Sequence, residues 1–416
     1  MPSVCTRWKS GNKVWLLLAG LCGAAQAQDW PTLTLYFSQQ ENALSQAYFP
    51  ITRANGFAAQ QQTLALTLDG EHAGFTWRVR ALAARAGGNP AQQEVRLKEL
   101  NKVWRLNQDC KLSLGKRILA WDVGFLLQPL GFFQTQPNLS DLQDLAGNSE
   151  GLPLALLSCR VAQGLALDLA HSRDSAPLDY GNRGLRQTVL RLSGQQGQLS
   201  YALLARQVRE VGHGVGASLS YTPLESLEAH ASLYWQRGQR SWRHAGLQTA
   251  DQFWFSNPYQ EQRSESWRGQ SLLGLNWTPR DWPALTLEWS HNGNGMQRDE
   301  WRRWRQMVDW HRSAPGPQAL REVNLLWDAQ SLPPQGMLRD YAYLQWQGAH
   351  AGWDWSLGQS FGLQDGSRAA FLNLRRGLWR GASIGFSISH FARKGGTEYA
   401  YLPYTTSLGL RFAGIF

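Results

Sequence analysis

The sequence predicts an all-β fold, a closed antiparallel transmembrane β-barrel of about 18 strands (16–18) with long loops at one end. Three observations carry that expectation. Apolar and polar residues alternate with period two along many short segments, as strands with one greasy and one wet face require. The connections between these segments are long and short by turns. The composition holds 21 Trp and 12 Tyr, rings that barrels place at the two lipid–water interfaces.

The alternation is plain where Leu64, Leu66 and Leu68 bracket Ala65 and Thr67, and where Phe75, Trp77, Val79 and Ala81 bracket Thr76, Arg78 and Arg80. Leu285, Leu287 and Trp289 do the same around Thr286 and Glu288. Runs of this kind place strands at 32–40, 61–69, 73–84, 92–105, 108–120, 152–160, 163–171, 184–193 and 197–207. A second set falls at 212–221, 226–236, 269–278, 283–291, 339–347, 353–361, 369–376, 381–391 and 404–416. The total of eighteen is even, as bacterial single-chain barrels require.

Loop length is an independent check, because such a barrel alternates long outer loops with short inner turns. All the long connections (41–60, 121–151, 172–183, 237–268, 292–338 and 392–403) are odd-numbered and so fall at one end. The even-numbered ones, such as 70–72, 194–196 and 279–282, are short. This parity treats 292–338 as one loop. Its spacing is helical: Trp301, Trp304 and Val308 share one helix face, and Leu320, Val323 and Trp327 share another. Asp299 and Glu300 suit the first helix's positive end. If Leu320–Trp327 were a strand, the count would shift.

The amino terminus sets the compartment. Arg7, Lys9 and Lys13 precede a short apolar run, Val14 to Cys22, that ends at Ala25-Gln26-Ala27. This is a secretory signal peptide with cleavage expected after Ala27, leaving residues 28–416 as one barrel domain. The mean hydropathy of −0.40 fits a soluble chain or a barrel equally, since only alternate barrel residues meet lipid. Of 41 basic residues three leave with the signal peptide, so 38 face 31 acidic ones. That modest excess is no nucleic-acid signature. Cys110 and Cys159 remain in an oxidising compartment. They fall at the inner rim on adjacent strands, where a disulfide is expected if the register cooperates.

If the apolar member of each alternation faces lipid, the inward set holds Arg78, Arg80, Arg96, Lys98, Lys111, Arg117, Arg191, Arg206 and Arg375. The inward acids are Glu94, Asp168, Glu228, Glu288 and Asp354. Nine bases against five acids suggest a positive field that would favour anions; alternatively the charges pair and merely fill the barrel. The loop 121–151, with Phe125, Leu126, Leu127, Phe132 and Phe133, either folds into the mouth or covers the rim. Trp301, Trp304, Trp310 and Trp327 stand beside Arg298, Arg302, Arg303 and Arg305; they either stack on sugars or pack helix against helix. Catalytic signals are poor, with neither H-E-x-x-H nor G-x-S-x-G. His171 near Asp174 and His291 near Asp299 are the only acid–imidazole neighbours to weigh. No metal site or cofactor is indicated.

The final strand places Leu408, Leu410, Phe412 and Phe416 on one face and ends at an aromatic carboxyl terminus. It resembles the terminal strand by which Gram-negative outer-membrane proteins engage the barrel-assembly machinery, departing from it at Gly414. Leu114-Gly115-Lys116-Arg117-Ile118-Leu119-Ala120-Trp121, with Pro129 and Glu150-Gly151, looks like the large monomeric outer-membrane porins, a group that includes alginate-export-type barrels. Glu288-Trp289-Ser290-His291-Asn292-Gly293-Asn294-Gly295 and Leu363-Gln364-Asp365-Gly366-Ser367 are similar to that group too. The resemblance implies an eighteen-stranded barrel with a basic lumen, a porin-like channel passing small anionic or saccharide solutes across an outer membrane. The alternatives are the barrel component of a periplasmic export or assembly complex, and a rim-located hydrolase acting at outer-membrane lipid.

Overall fold

The computed structural model describes residues 31–44, 58–125, 127–133, 150–174, 184–247, 254, 258–330, 338–379, 381–402 and 404–416. The expected signal peptide, 1–27, lies outside them. Eighteen strands follow one another: β1 (Thr32–Leu44), β2 (Gln60–His72), β3 (Phe75–Ala86), β4 (Gln92–Arg105), β5 (Cys110–Arg117), β6 (Leu152–Ala162), β7 (Leu165–Ser172), β8 (Gln187–Gln196) and β9 (Leu199–Val208). The second nine are β10 (Gly212–Leu224), β11 (Leu227–His244), β12 (Tyr259–Trp277), β13 (Ala284–Asn292), β14 (Asp340–His350), β15 (Trp353–Gly362), β16 (Arg368–Trp379), β17 (Ala382–Ala392) and β18 (Tyr404–Ile415). Each pairs antiparallel with its sequence neighbours, and β1 pairs with β18 from Thr34↔Ile415 to Leu44↔Tyr404, closing the sheet. Closure leaves no edge strand, which a chain in hydrocarbon cannot tolerate.

The wall has the two faces that the alternation implies. Leu64, Val95, Leu169, Leu190, Leu203, Val215, Leu273, Ile388 and Leu408 are exposed along its outside. Thr67, Arg80, Ser113, Asp168, Glu288, Asn373 and Arg411 are buried on its inside. Inner turns are tight. Ala73 and Gly74 take φ of 49° and 77° between β2 and β3, the left-handed pair that a two-residue hairpin needs and that glycine adopts without strain.

Several boundaries differ from the sequence expectation by three residues or more, and those of β11, β12 and β5 bear on the loops and the lumen. The loop expected at 237–268 is shorter, because β11 runs on to His244 and β12 begins at Tyr259, after a register break at Arg237/Gln239. Polar residues dominate this extension (Gln239, Arg240, Ser241, Arg243 and Gln260 to Ser264), so no greasy face marks it. A hairpin rising above the lipid needs none. The strand expected at 108–120 instead stops at Arg117, and Leu119 packs into the barrel interior.

The 292–338 loop is helical, with α1 (Arg298–Ser313) and α2 (Gln318–Gln330). Gln297 and Glu300 form a capping box at the start of α1. Trp301, Trp304, Met307 and Val308 pack with Leu247, Leu325, Leu338, Tyr341 and Tyr401 into a cap above the barrel. Inside it His311 Nδ1 lies 2.7 Å from Asp328 Oδ2, with both side chains fully buried. Burial pushes the Asp328 carboxyl above its ordinary range even though His311 pulls it down.

Cys110 and Cys159 face each other in register, with Cα atoms 4.1 Å apart, and are joined by a disulfide. They sit at the end opposite the helices, in the outward row of Leu112↔Leu157. A bridge across 49 residues limits the unfolded chain, and one of this span is worth about 2–4 kcal/mol. The paired Cys110→Ser/Cys159→Ser variant is therefore expected to lose its compact electrophoretic form at a lower temperature than the oxidised protein. Equal melting with and without reductant would contradict this.

Candidate lumen and the segment that crosses it

The inner wall is not polar all round. Leu152, Leu154 and Leu156 of β6, Ala170 of β7, Val189 of β8, Leu204 of β9 and Tyr234 of β11 point inward and are buried. Apolar inward residues need a cover, and the segment 119–133 supplies it. Trp121, Leu130, Phe132 and Phe133 pack onto that wall, with Phe132 4.8 Å from the Tyr234 ring and Phe133 5.2 Å from Trp121. The described part of this loop, up to Phe133, therefore folds into the barrel rather than over its rim; 134–149 lie outside the described residues.

The segment also reaches the far side. Asp122 organises its first turn by accepting the amides of Val123, Gly124 and Leu130. Burial pushes this carboxyl above the ordinary range although those amides pull it down. A side chain at Gly124 would collide with the Leu127 carbonyl and press on Leu272 of β12, so the backbone itself approaches the wall here. The Phe125 amide then donates to Glu288 Oε1 of β13 at 2.8 Å, and its ring lies 5.3 Å from Tyr343 of β14. In a ring of eighteen strands, β14 stands nine places from β5. The chain thus forms a bar across the full width of the lumen. Glu288 is held in turn by His230 of β11, 3.1 Å away, with both side chains buried.

The expected basic residues divide between the two sides of this bar. Arg191 and Arg206 lie on the filled side. Arg191 pairs with Asp168 at 3.1 Å and sits over Trp121; Arg206 donates to Gln187 at 2.8 Å and covers the Phe132 ring at 4.1 Å. Arg78, Arg80 and Arg375 lie on the other side. They line one cavity of about 830 Å³ together with Thr34, Tyr36 and Asp354. Arg78 keeps Asp69 at 3.7 Å, and Arg375 stands opposite Asp354 in register.

Further toward the outer end, Arg96 pairs with Glu94 at 2.6 Å, and Lys98 and Lys116 both hold Glu150, at 3.3 and 2.9 Å. Burial pushes the Glu150 carboxyl up, but the Lys116 bond and the Lys98 charge outweigh it and hold it below the ordinary range. Lys111 is exposed at the start of β5, and Arg117 is half-buried at its end. Reading the sequence missed Lys116, Glu150 and Arg411. Arg411 is buried on β18, between the outward residues Leu410 and Phe412, so the alternation itself was the signal.

The four outer-loop tryptophans do not form one surface. Trp301 and Trp304 stack on each other at 5.0 Å and are buried against Tyr401, so they hold the cap together and offer no face to a sugar. Trp310 is half-buried against Trp254 at 4.7 Å, and Trp327 is half-buried on α2. His291 pairs with Asp340 at 2.7 Å, whereas Asp299 pairs with Arg302. His171 bonds Thr188 at 2.9 Å. Neither histidine meets the acid that sequence proximity suggested.

No protein-family model matches the chain, and no curated protein matches it in sequence. Solved structures do share the fold. OccAB1 of Acinetobacter baumannii is 11% identical with a TM-score of 0.54, covering 93% of this chain and 96% of its own. OccK11 (OpdR) of Pseudomonas aeruginosa is 11% identical with a TM-score of 0.53, covering 93% and 96%. The outer-membrane protein OpdK of the same organism is 8% identical with a TM-score of 0.53, covering 94% and 99%; it has also been solved with vanillate. The chain therefore shares the barrel fold of these outer-membrane proteins. The finer likeness to alginate-export barrels rests on sequence patches alone.

Removing the Glu288 carboxylate takes away the anchor at the bar's far end, a bond to a charged group worth about 1.5–3 kcal/mol. Glu288→Ala is expected to raise the detached fraction of the bar by tenfold or more, since each 1.4 kcal/mol or so is a factor of ten. In single-channel recordings this would read as higher and noisier open current. A quiet, unchanged conductance would show that Glu288 does not hold it.

Proposed function

We propose that this chain is a channel for small anionic or saccharide solutes across an outer membrane, with anions favoured. The observation that carries the reading is the half of the lumen left open by the bar. There Arg78, Arg80 and Arg375 line a common cavity of about 830 Å³, with Lys98 and Arg411 buried in the same wall. A barrel of this strand number is wide enough for an aqueous path. Guanidinium groups aimed into it replace part of an anion's hydration with fork-shaped donors. OpdK, similar in fold, has been solved with vanillate, a carboxylate, which supports an anion on the same general scaffold.

In this reading residues 1–27 are removed during export, and the last strand, with Phe416 just beyond it, is what the barrel-assembly machinery engages. Outer-membrane lipid covers the apolar outside. Bases on the filled side of the bar, Arg191 and Arg206, serve packing rather than transport, since each is covered by an aromatic ring of the bar.

In planar bilayers under a salt gradient, the purified protein is expected to give a reversal potential on the anion side. Arg78→Gln with Arg375→Gln should move it toward zero or beyond, while Arg206→Gln should leave it where it was. Cation preference in the unaltered protein would reject the anion preference, and no conductance at all would reject the channel reading.

A further inference from the structure

The outer surface of the wall changes character along one horizontal line. Leu169, Leu190, Ala205, Val215, Trp235 and Gly269 are cross-strand partners from β7 to β12; they form the last apolar row before the loop end. Two residues higher, the same strands carry His171, Thr188, Gln207, His213, Arg237 and Trp267, again partnered in unbroken sequence. His171, Gln207, His213, Arg237 and Trp267 are all exposed. Just above them stand Arg173, Arg186 and Arg209, also exposed, each one residue beyond the outer end of three consecutive strands spaced about 5 Å apart. The Arg209 amide donates to the Arg186 carbonyl at 2.9 Å, which fixes two of these residues side by side.

Four arginines and two imidazoles thus crown five adjacent strands, directly over lipid-facing side chains. Among the described residues the acids at this level are Asp174, which is half-buried and accepts the Gly184 amide at 2.8 Å, Glu210, paired with Arg209 at 3.3 Å, and Glu265, which is exposed on β12. Among the described residues Arg173, Arg186 and Arg237 have no ion-pair partner. The collar does not continue onto β1 to β4. Around β1 to β4 the corresponding outward positions are Gln39, Glu41, Gln60, Gln62, Arg85 and Gln93.

We propose that the arc from β7 to β11 is a binding surface for a phosphorylated headgroup of an outer-leaflet lipid. Its acyl chains would lie on Leu169, Leu190, Val215 and Trp235, and its phosphate would be held by Arg173, Arg186 and Arg209. The occupant follows from position and charge. A base pointing outward at the hydrocarbon boundary meets headgroups before it meets solvent, and neighbouring guanidinium groups suit phosphate oxygens better than any other common anion there. Trp235 and Trp267 stand at the same boundary, where tryptophan prefers to lie.

The test uses the full-length barrel in detergent, incubated with bisphosphorylated lipid A, with its dephosphorylated counterpart, or with inorganic phosphate, then read by native mass spectrometry. The bisphosphorylated lipid is expected to stay bound, and the dephosphorylated one to be retained at least about tenfold less. Arg173→Gln/Arg186→Gln/Arg209→Gln should show the same loss, whereas Arg85→Gln on β3, outside the arc, should not. None of these side chains faces the lumen, so the bilayer reversal potential should be unchanged in the triple variant; a change in lipid retention is thereby separable from failure of the channel reading. Equal retention of the two lipids by the unaltered protein would overturn the proposal, even if the triple variant failed to fold. So would displacement by inorganic phosphate with no dependence on the acyl chains.

Discussion

Backbone amides and carbonyls in hydrocarbon have no water to turn to, and every one left open costs several kcal/mol. The pairing of β1 with β18 answers that cost for the whole molecule, because it converts an eighteen-stranded ribbon with two raw edges into a ring. All else follows from the ring. Its outside must be apolar, its inside can be polar, and both termini must leave at the same end. The long connections are then free to gather at the other end, where water satisfies them.

A ring this wide would be a plain hole unless something entered it. The sequence solves this locally. One third of the inner wall, from β6 to β11, carries leucine, valine, alanine and tyrosine where a water-filled lumen would carry polar groups. The segment 119–133 carries matching aromatic and aliphatic side chains. Burying the two sets together is the ordinary hydrophobic drive of a soluble core, installed inside a membrane barrel. The bar is anchored on its home side by that packing and on the far side by hydrogen bonding to Glu288. Basic residues that face the bar act as packing partners, and those beyond it line the space that remains.

Much of the fold was legible because period-two alternation and loop parity are both dictated by the bilayer. Strands such as β4 and β10 start where the sequence places them, and the helical spacing of Trp301, Trp304 and Val308 matches a real helix. The hairpin above Arg237 was not legible, since a strand wet on both faces leaves no periodic mark. The bar was half-legible. Its aromatic content was visible, but its direction was set by partners on β6, β8 and β9, whose inward apolar residues make both faces greasy and so disguise which face is which. Charge pairing escaped for the same reason. Glu150 lies 52 residues from Lys98 in sequence and meets it only when β4, β5 and β6 pair.

The most direct test of the divided lumen is the reaction rate of single inward cysteines with a small sulfonate-bearing thiol reagent, in protein whose Cys110–Cys159 bridge is intact. Thr34→Cys and Gln347→Cys line the open cavity and should be modified rapidly from solution. Ala170→Cys and Val189→Cys, buried beneath the bar, should stay unmodified while the barrel is folded. Equal rates at the four positions, or faster reaction beneath the bar, would contradict the account.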